Sequence, residues 1–169
     1  MQADTYNVRS FAATGSQRPR RARGFTLLEL LAAVAIAGLL VTIALPSYNA
    51  IIQRQKTQTA IRDLTKIAML IQNYHTAHFA YPMSLADVGA NNLRDPWGNP
   101  YAYLNFASPG PGVNGQIRKD HNLHPINSDF DLYSMGPDGD SQAPLTARAS
   151  RDDIVYGRDG SFIGVAADF

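Results

Sequence analysis

From Phe25 to Leu45 the chain is apolar at nearly every position, a run of 21 residues in which Glu29 is the only charge. At about 1.5 Å per residue, a helix of that length spans a bilayer core of roughly 30 Å. Past Pro46 the pattern changes. Ser47–Gln58 is mostly polar. Ala60/Ile61, Leu64, Ile67/Ala68, Ile71, Tyr74/His75 and His78 then recur at intervals of three and four, which predicts an amphipathic helix with one core-facing stripe. That helix is expected to end near Ala80-Tyr81-Pro82, because the residue before a proline avoids the α region. From Asn91 onward short apolar and aromatic runs alternate with Gly, Pro, Asn and Asp, a pattern of strands and turns. The runs Tyr101–Phe106, Phe130–Met135, Asp153–Tyr156 and Ser161–Val165 are the predicted strands, and Arg158-Asp159-Gly160-Ser161 reads as a hairpin turn.

The predicted class is α+β: a long N-terminal helix, transmembrane in its first half and amphipathic in its second, with a small, mostly antiparallel C-terminal sheet packed on the stripe. The expected divisions are residues 1–24, a basic leader; 25–46, a membrane helix; 47–81, the amphipathic helix; and 82–169, loops and sheet. Pro46 removes a helical hydrogen bond. Both a local loosening during assembly and a simple bend at the membrane surface are compatible with it.

Charge sharpens the first half of this picture. The formal net charge of the 169 residues is +1, but residues 1–24 carry five arginines against Asp4, while the rest carries ten Lys and Arg against thirteen Asp and Glu. A basic leader and an acidic body argue against nucleic-acid binding. Arg18, Arg20, Arg21 and Arg23 flank the N-terminal side of the apolar run, which places that end in the cytoplasm and the body of a single-pass protein across the inner membrane. A secretory signal peptide with Ala35-Ile36-Ala37-Gly38 as its cleavage site is one alternative, but Glu29 interrupts its hydrophobic region and apolar sequence continues past the cut. A plain anchor is another, and it leaves a carboxylate unexplained where insertion costs roughly 2.5–3.5 kcal/mol. Cysteine is absent, so no disulfide holds an extracytoplasmic domain together.

The residues Arg23-Gly24-Phe25-Thr26-Leu27-Leu28-Glu29, with Pro46 later in the run, resemble the processing site of the type IV pilin and type II secretion pseudopilin family. The resemblance implies that a prepilin peptidase cuts between Gly24 and Phe25 and methylates the new amine of Phe25. Glu29 is then an assembly residue, pairing with the Phe25 amine of a neighbouring subunit, where a buried pair fixes register. Asp95-Pro96-Trp97-Gly98-Asn99-Pro100-Tyr101 resembles the D-P-W-G-x-P-Y signature of the major pseudopilins. Asp131-Leu132-Tyr133-Ser134-Met135-Gly136-Pro137-Asp138-Gly139, followed by Asp152-Asp153-Ile154, resembles their later D-I-x-S-x-G-x-D-G and D-I elements.

Asp138, Asp140, Asp152 and Asp153 are short carboxylates in a Gly-containing segment and suit a hard cation, although turn formation is the commoner role of such residues. In the family this loop binds calcium. The resemblance implies Ca²⁺ ligation by the Met135 carbonyl, Asp138 and Asp153, with Asp140 and Asp152 as further candidates. His75 with His78 and His121 with His124 have ligand-like spacing, and solvated or core-edge roles are the ordinary reading of each pair.

The chain departs from the family pattern in three places: a Pro/Gly/Asn-rich insertion over 108–128, Gln142-Ala143-Pro144-Leu145-Thr146-Ala147 where glycines are usual, and a tail over 157–169. No catalytic motif is present, and an enzyme is not expected. The resemblance implies a structural subunit of a pseudopilus that polymerises with identical or related subunits. Its implied helpers are a prepilin peptidase, an inner-membrane assembly platform and a cytoplasmic ATPase. A type IV pilin or minor pilin for adhesion, motility or DNA uptake is the alternative, disfavoured by the Asp95–Tyr101 motif.

Overall fold

A computed structural model describes residues 24–107 and 113–169, apart from the side chain of Pro46. The arginine-rich leader up to Arg23 and the stretch 108–112 within the insertion lie outside the described residues. The chain divides into two compact units, the second of which is Ala44–Phe169.

Helix α1 covers Leu27–His78 and is helical through Pro46. Ala60, Leu64, Ile67, Ala68 and Ile71 are buried, as the three-and-four spacing predicts. The stripe stops one turn short of its expected end. Tyr74 and His75 are half-buried, and His78 is exposed. The helix itself ends before Ala80: Phe79 takes a left-handed backbone (φ 56°) and its N–H donates to the His75 carbonyl at 2.8 Å. A left-handed residue after the last turn is a common helix stop, usually a glycine. Here the role falls to Phe79, three residues before Pro82.

The four predicted strands all form. Strands β1 (Ala102–Asn105), β2 (Phe130–Ser134), β3 (Ile154–Gly157) and β4 (Phe162–Val165) make an antiparallel sheet in the order β1-β2-β3-β4. Leu132 is the Cα partner of Tyr103 on one side and of Tyr156 on the other. The tight link between β3 and β4 is the expected hairpin turn, with Arg158, Asp159 and Gly160 all at positive φ.

Alternation along the strands divides the sheet into two faces. Phe130, Leu132, Ile154 and Tyr156 pack with the α1 stripe, Leu85 and Tyr101. Full burial of a side chain such as Leu64, Ile67, Ile71, Leu132 or Ile154 contributes about 1.5–3 kcal/mol. On the other face Val155 packs with Ile126, Leu145 and Ala166, and with Tyr133, Phe162 and Phe169 around them. That second layer is assembled from all three segments that depart from the family pattern. The insertion supplies Ile126, the 142–147 segment supplies Leu145, and the tail supplies Ala166 and Phe169.

Candidate functional site

The N-terminal site is a helix start. Gly24, Phe25 and Thr26 precede α1 and are not helical, so the Gly24–Phe25 peptide bond lies in backbone free of helical hydrogen bonding. Thr26 caps the helix. Its N–H and hydroxyl donate to Glu29 Oε2 at 2.8 and 2.9 Å, and the Glu29 N–H donates back to Thr26 Oγ1 at 3.2 Å. This reciprocal capping box leaves the Glu29 carboxylate satisfied within its own chain. The side chains from Phe25 to Leu45 are otherwise apolar and exposed, and the Thr42 hydroxyl is satisfied by the Gly38 carbonyl at 2.8 Å. By length and composition, α1 contains a stretch able to cross a membrane.

The second site is where the two C-terminal motifs meet. Asp95 is 4% exposed, and its Oδ1 accepts the backbone N–H groups of Trp97 (3.0 Å) and Asn99 (2.8 Å). Its Oδ2 accepts the Ser134 hydroxyl at 2.6 Å. Asn99 Nδ2 in turn donates to the Gly136 carbonyl at 3.0 Å. The loop is tied to α1 as well: Trp97 Nε1 donates to Gln53 Oε1 (3.1 Å) and the Tyr101 hydroxyl to Asp63 Oδ2 (2.9 Å). Burial, together with the Asp63 carboxylate, pushes the Tyr101 phenol up, so it stays a donor. The motif residues are thus a clasp that fixes helix, loop and β2 to one another.

The aspartates named as calcium ligands do not gather into one shell. Asp138 and Asp140 are exposed; the Asp140 N–H donates to Asp138 Oδ1 at 2.9 Å, a turn contact, and the Asp138 N–H donates across 14 positions to Asp152 Oδ2 at 3.3 Å, so Asp138 and Asp152 meet while Asp153 faces elsewhere. Among the described residues no group of three or more His, Asp or Glu is placed to hold a metal. Asp153 is wholly buried, and its Oδ2 is engaged by the Arg118 guanidinium and by the Ser141 hydroxyl, the latter at 2.6 Å. Calcium takes about six to eight oxygens. The expected donors, with Asp153 bound to an arginine, do not fit it.

The arginine in that position was not singled out from the sequence. Arg118 is 1% exposed. Its Nη1 donates to Ser141 Oγ and to the Gln142 carbonyl (2.8 Å), its Nη2 donates to Asp153, and its guanidinium lies 4.2 Å over the Tyr133 ring. Its backbone N–H donates to Asp131 Oδ2 at 2.6 Å, and Asn127 Nδ2 donates to Asp131 Oδ1 at 3.2 Å. Burial pushes the Asp131 carboxyl up, held back by these donors. Burial likewise pushes Asp153 up to about 6, against the pull of Ser141 and Arg118. The available signal was the coincidence of two departures from the family pattern. The insertion and the 142–147 segment pair directly, Lys119 N–H donating to the Ala143 carbonyl (3.1 Å) and Leu145 N–H to the Lys119 carbonyl (2.8 Å).

Neither histidine pair converges on a shared ligand. His75 stacks on Tyr81 with ring centroids 4.2 Å apart, His78 Nδ1 sits 2.9 Å from the Tyr74 carbonyl, and His121 and His124 are exposed in the insertion.

An exposed apolar helix with one carboxylate in its first turn, continued by an amphipathic half under a four-stranded antiparallel sheet, defines a pilin-like subunit whose first helix is long and apolar enough to cross a membrane. Residues 19–45 match the family model described as the prokaryotic N-terminal methylation motif. The chain is 30% identical over 141 residues to type II secretion system core protein G of Pseudomonas aeruginosa, covering 71% of this chain and 87% of that protein. The proteins of the same name from Escherichia coli K12 and Vibrio cholerae are 27% and 26% identical over 139 and 145 residues. These alignments cover 70% and 73% of this chain, and 83% and 86% of the relatives. No solved structure gives a significant match. The chain belongs to the type II secretion system core protein G family, the pseudopilins, and by that membership is a structural filament subunit.

Proposed function

We propose that this subunit is made as an inner-membrane prepilin, with the leader cytoplasmic and residues 47–169 periplasmic, and that it polymerises into the pseudopilus of a type II secretion system. A prepilin peptidase cleaves Gly24–Phe25 and methylates the Phe25 amine. An inner-membrane platform and its cytoplasmic ATPase then drive copies of the chain into a filament whose core is built from the 25–45 helices. In that core Glu29 leaves its contact with Thr26 and pairs with the Phe25 amine of a neighbour, a local exchange of one partner for a stronger one.

The observation that carries this reading is the join between a non-helical Gly24–Phe25 bond and an exposed apolar helix whose first turn holds the chain's only glutamate. The bond is open to a peptidase, and the helix leaves a lipid-compatible face for packing. The test is intact-mass analysis of protein extracted from membranes of the producing cell. Maturation at Phe25 with one added methyl group is the expected mass, and a mature start at Gly38 replaces this reading with a cleaved signal peptide.

A further inference from the structure

We propose that Arg118 is a built-in replacement for a divalent cation in the C-terminal loop, so that this subunit folds without calcium. The guanidinium occupies the centre of a cage formed by Asp153 Oδ2, Ser141 Oγ, the Gln142 carbonyl and the Tyr133 ring, and every one of these groups comes from the motif loop or the strands beside it. Asp153 is the one wholly buried carboxylate among the residues that the family resemblance assigns to calcium. Its Oδ2 is taken by Arg118 and Ser141, which leaves Oδ1 as the one oxygen it could offer a cation, beside a guanidinium that already neutralises it.

Arginine suits this place for physical reasons. It stays charged when buried, it is more weakly hydrated than an ammonium or a small dication, and its planar fork reaches several acceptors at once. A guanidinium and a calcium ion both drawn to Asp153 also repel each other strongly at low dielectric. Two departures from the family pattern act here as one. The 108–128 insertion delivers Arg118. The 142–147 segment, held to Lys119 by two backbone hydrogen bonds, brings the Gln142 carbonyl to the guanidinium.

The experiment uses the mature full chain in detergent, melted in millimolar CaCl₂ and in excess EGTA, with Ca²⁺ titration calorimetry alongside. The two melting curves should coincide and the titration should show no binding; a rise in melting temperature with calcium, or a saturable heat, overturns the proposal. Arg118→Ala strands Asp153 and should lower the melting temperature by about 10 °C or more. Arg118→Lys keeps the charge but loses the fork, and should fall between. An Arg118→Ala protein that melts with the wild type also overturns the proposal. If neither variant folds, the comparison of calcium with EGTA on the wild type still decides. None of these readouts depends on filament formation, so the proposal stands or falls separately from the assembly reading.

Discussion

The Asp95 carboxylate and the Ser134 hydroxyl meet at 2.6 Å inside the protein, although 39 positions separate them in the chain. That bond joins the Asp95–Tyr101 motif to the Asp131–Gly139 motif, and the remaining Asp95 oxygen organises the backbone of its own loop. The tight loops around this bond also explain a glycine in each motif. Gly98 and Gly136 sit at φ 102° and 64°, where a side chain is strained.

Replacing Asp95 with Ala should therefore be among the most destabilising single changes in the soluble part of the molecule. It leaves the Trp97 and Asn99 N–H groups and the Ser134 hydroxyl without an acceptor, and each such orphan costs about 1–3 kcal/mol. Ser134→Ala removes one of those bonds and takes the acceptor from the Gly136 N–H (3.2 Å), so it should cost about two thirds as much. Chemical denaturation of the two variants, monitored by Trp97 fluorescence, measures the ratio.

Gly136→Ala tests the backbone separately from the hydrogen bonds. A Cβ at Gly136 collides with the Asp152 carbonyl, and φ 64° is unfavourable for any L side chain. The expected loss is about 1–3 kcal/mol from the backbone conformation alone. Gly115 has open space around it and a φ outside the left-handed region, so Gly115→Ala should leave the denaturation midpoint nearly unchanged.

For Glu29→Ala, membrane insertion should persist, since losing a charge makes the run more apolar. Filament assembly should fail. Removing one member of a buried pair costs about 3–5 kcal/mol, which corresponds to more than a hundredfold in subunit association. Electron microscopy of cells producing only the variant checks this, and abundant normal filaments would show that Glu29 has no pairing role.

Buried carboxyls should also give the fold an acid-favoring component. Asp153 rises from 3.8 to about 6 in the folded chain, so between those values the native state holds more protons than the unfolded one. Stability then falls with rising pH across that window: the contribution is complete below about pH 4 and is lost through about pH 6. Asp131 shifts in the same direction, again through burial. The difference in melting temperature between wild type and Asp153→Asn, followed from pH 4 to 7, should change sharply inside the window and level off above it. A difference that is flat across the window would contradict the burial argument.

How much of this was legible before folding depends on the range of each interaction. The α1 stripe from Ala60 to Ile71 and all four strands follow from local periodicity. Each such element answers to the side chains within a few positions of itself. The Arg158–Ser161 turn likewise declares itself through Asp159 and Gly160. The end of α1 falls slightly before the expected Ala80-Tyr81-Pro82, because Pro82 sets an outer limit while the left-handed Phe79 sets the actual one. The three-and-four spacing places His78 on the stripe. His78 is exposed because the sheet and Leu85 cover only the preceding part of the helix.

The sequence by itself determined the basic leader, the membrane-length run with its single glutamate, the alternation of helix and strand, and the motifs that mark the family, because all of these are read within a short window. Only the tertiary structure decided what fills the acidic loop. Arg118 and Asp153 stand in segments without periodicity, 35 positions apart, and nothing local predicts that an arginine is buried. It is favourable to bury there because the folded chain brings Asp153, the Tyr133 ring, Ser141 and the Gln142 carbonyl around it to offset the desolvation of the charge.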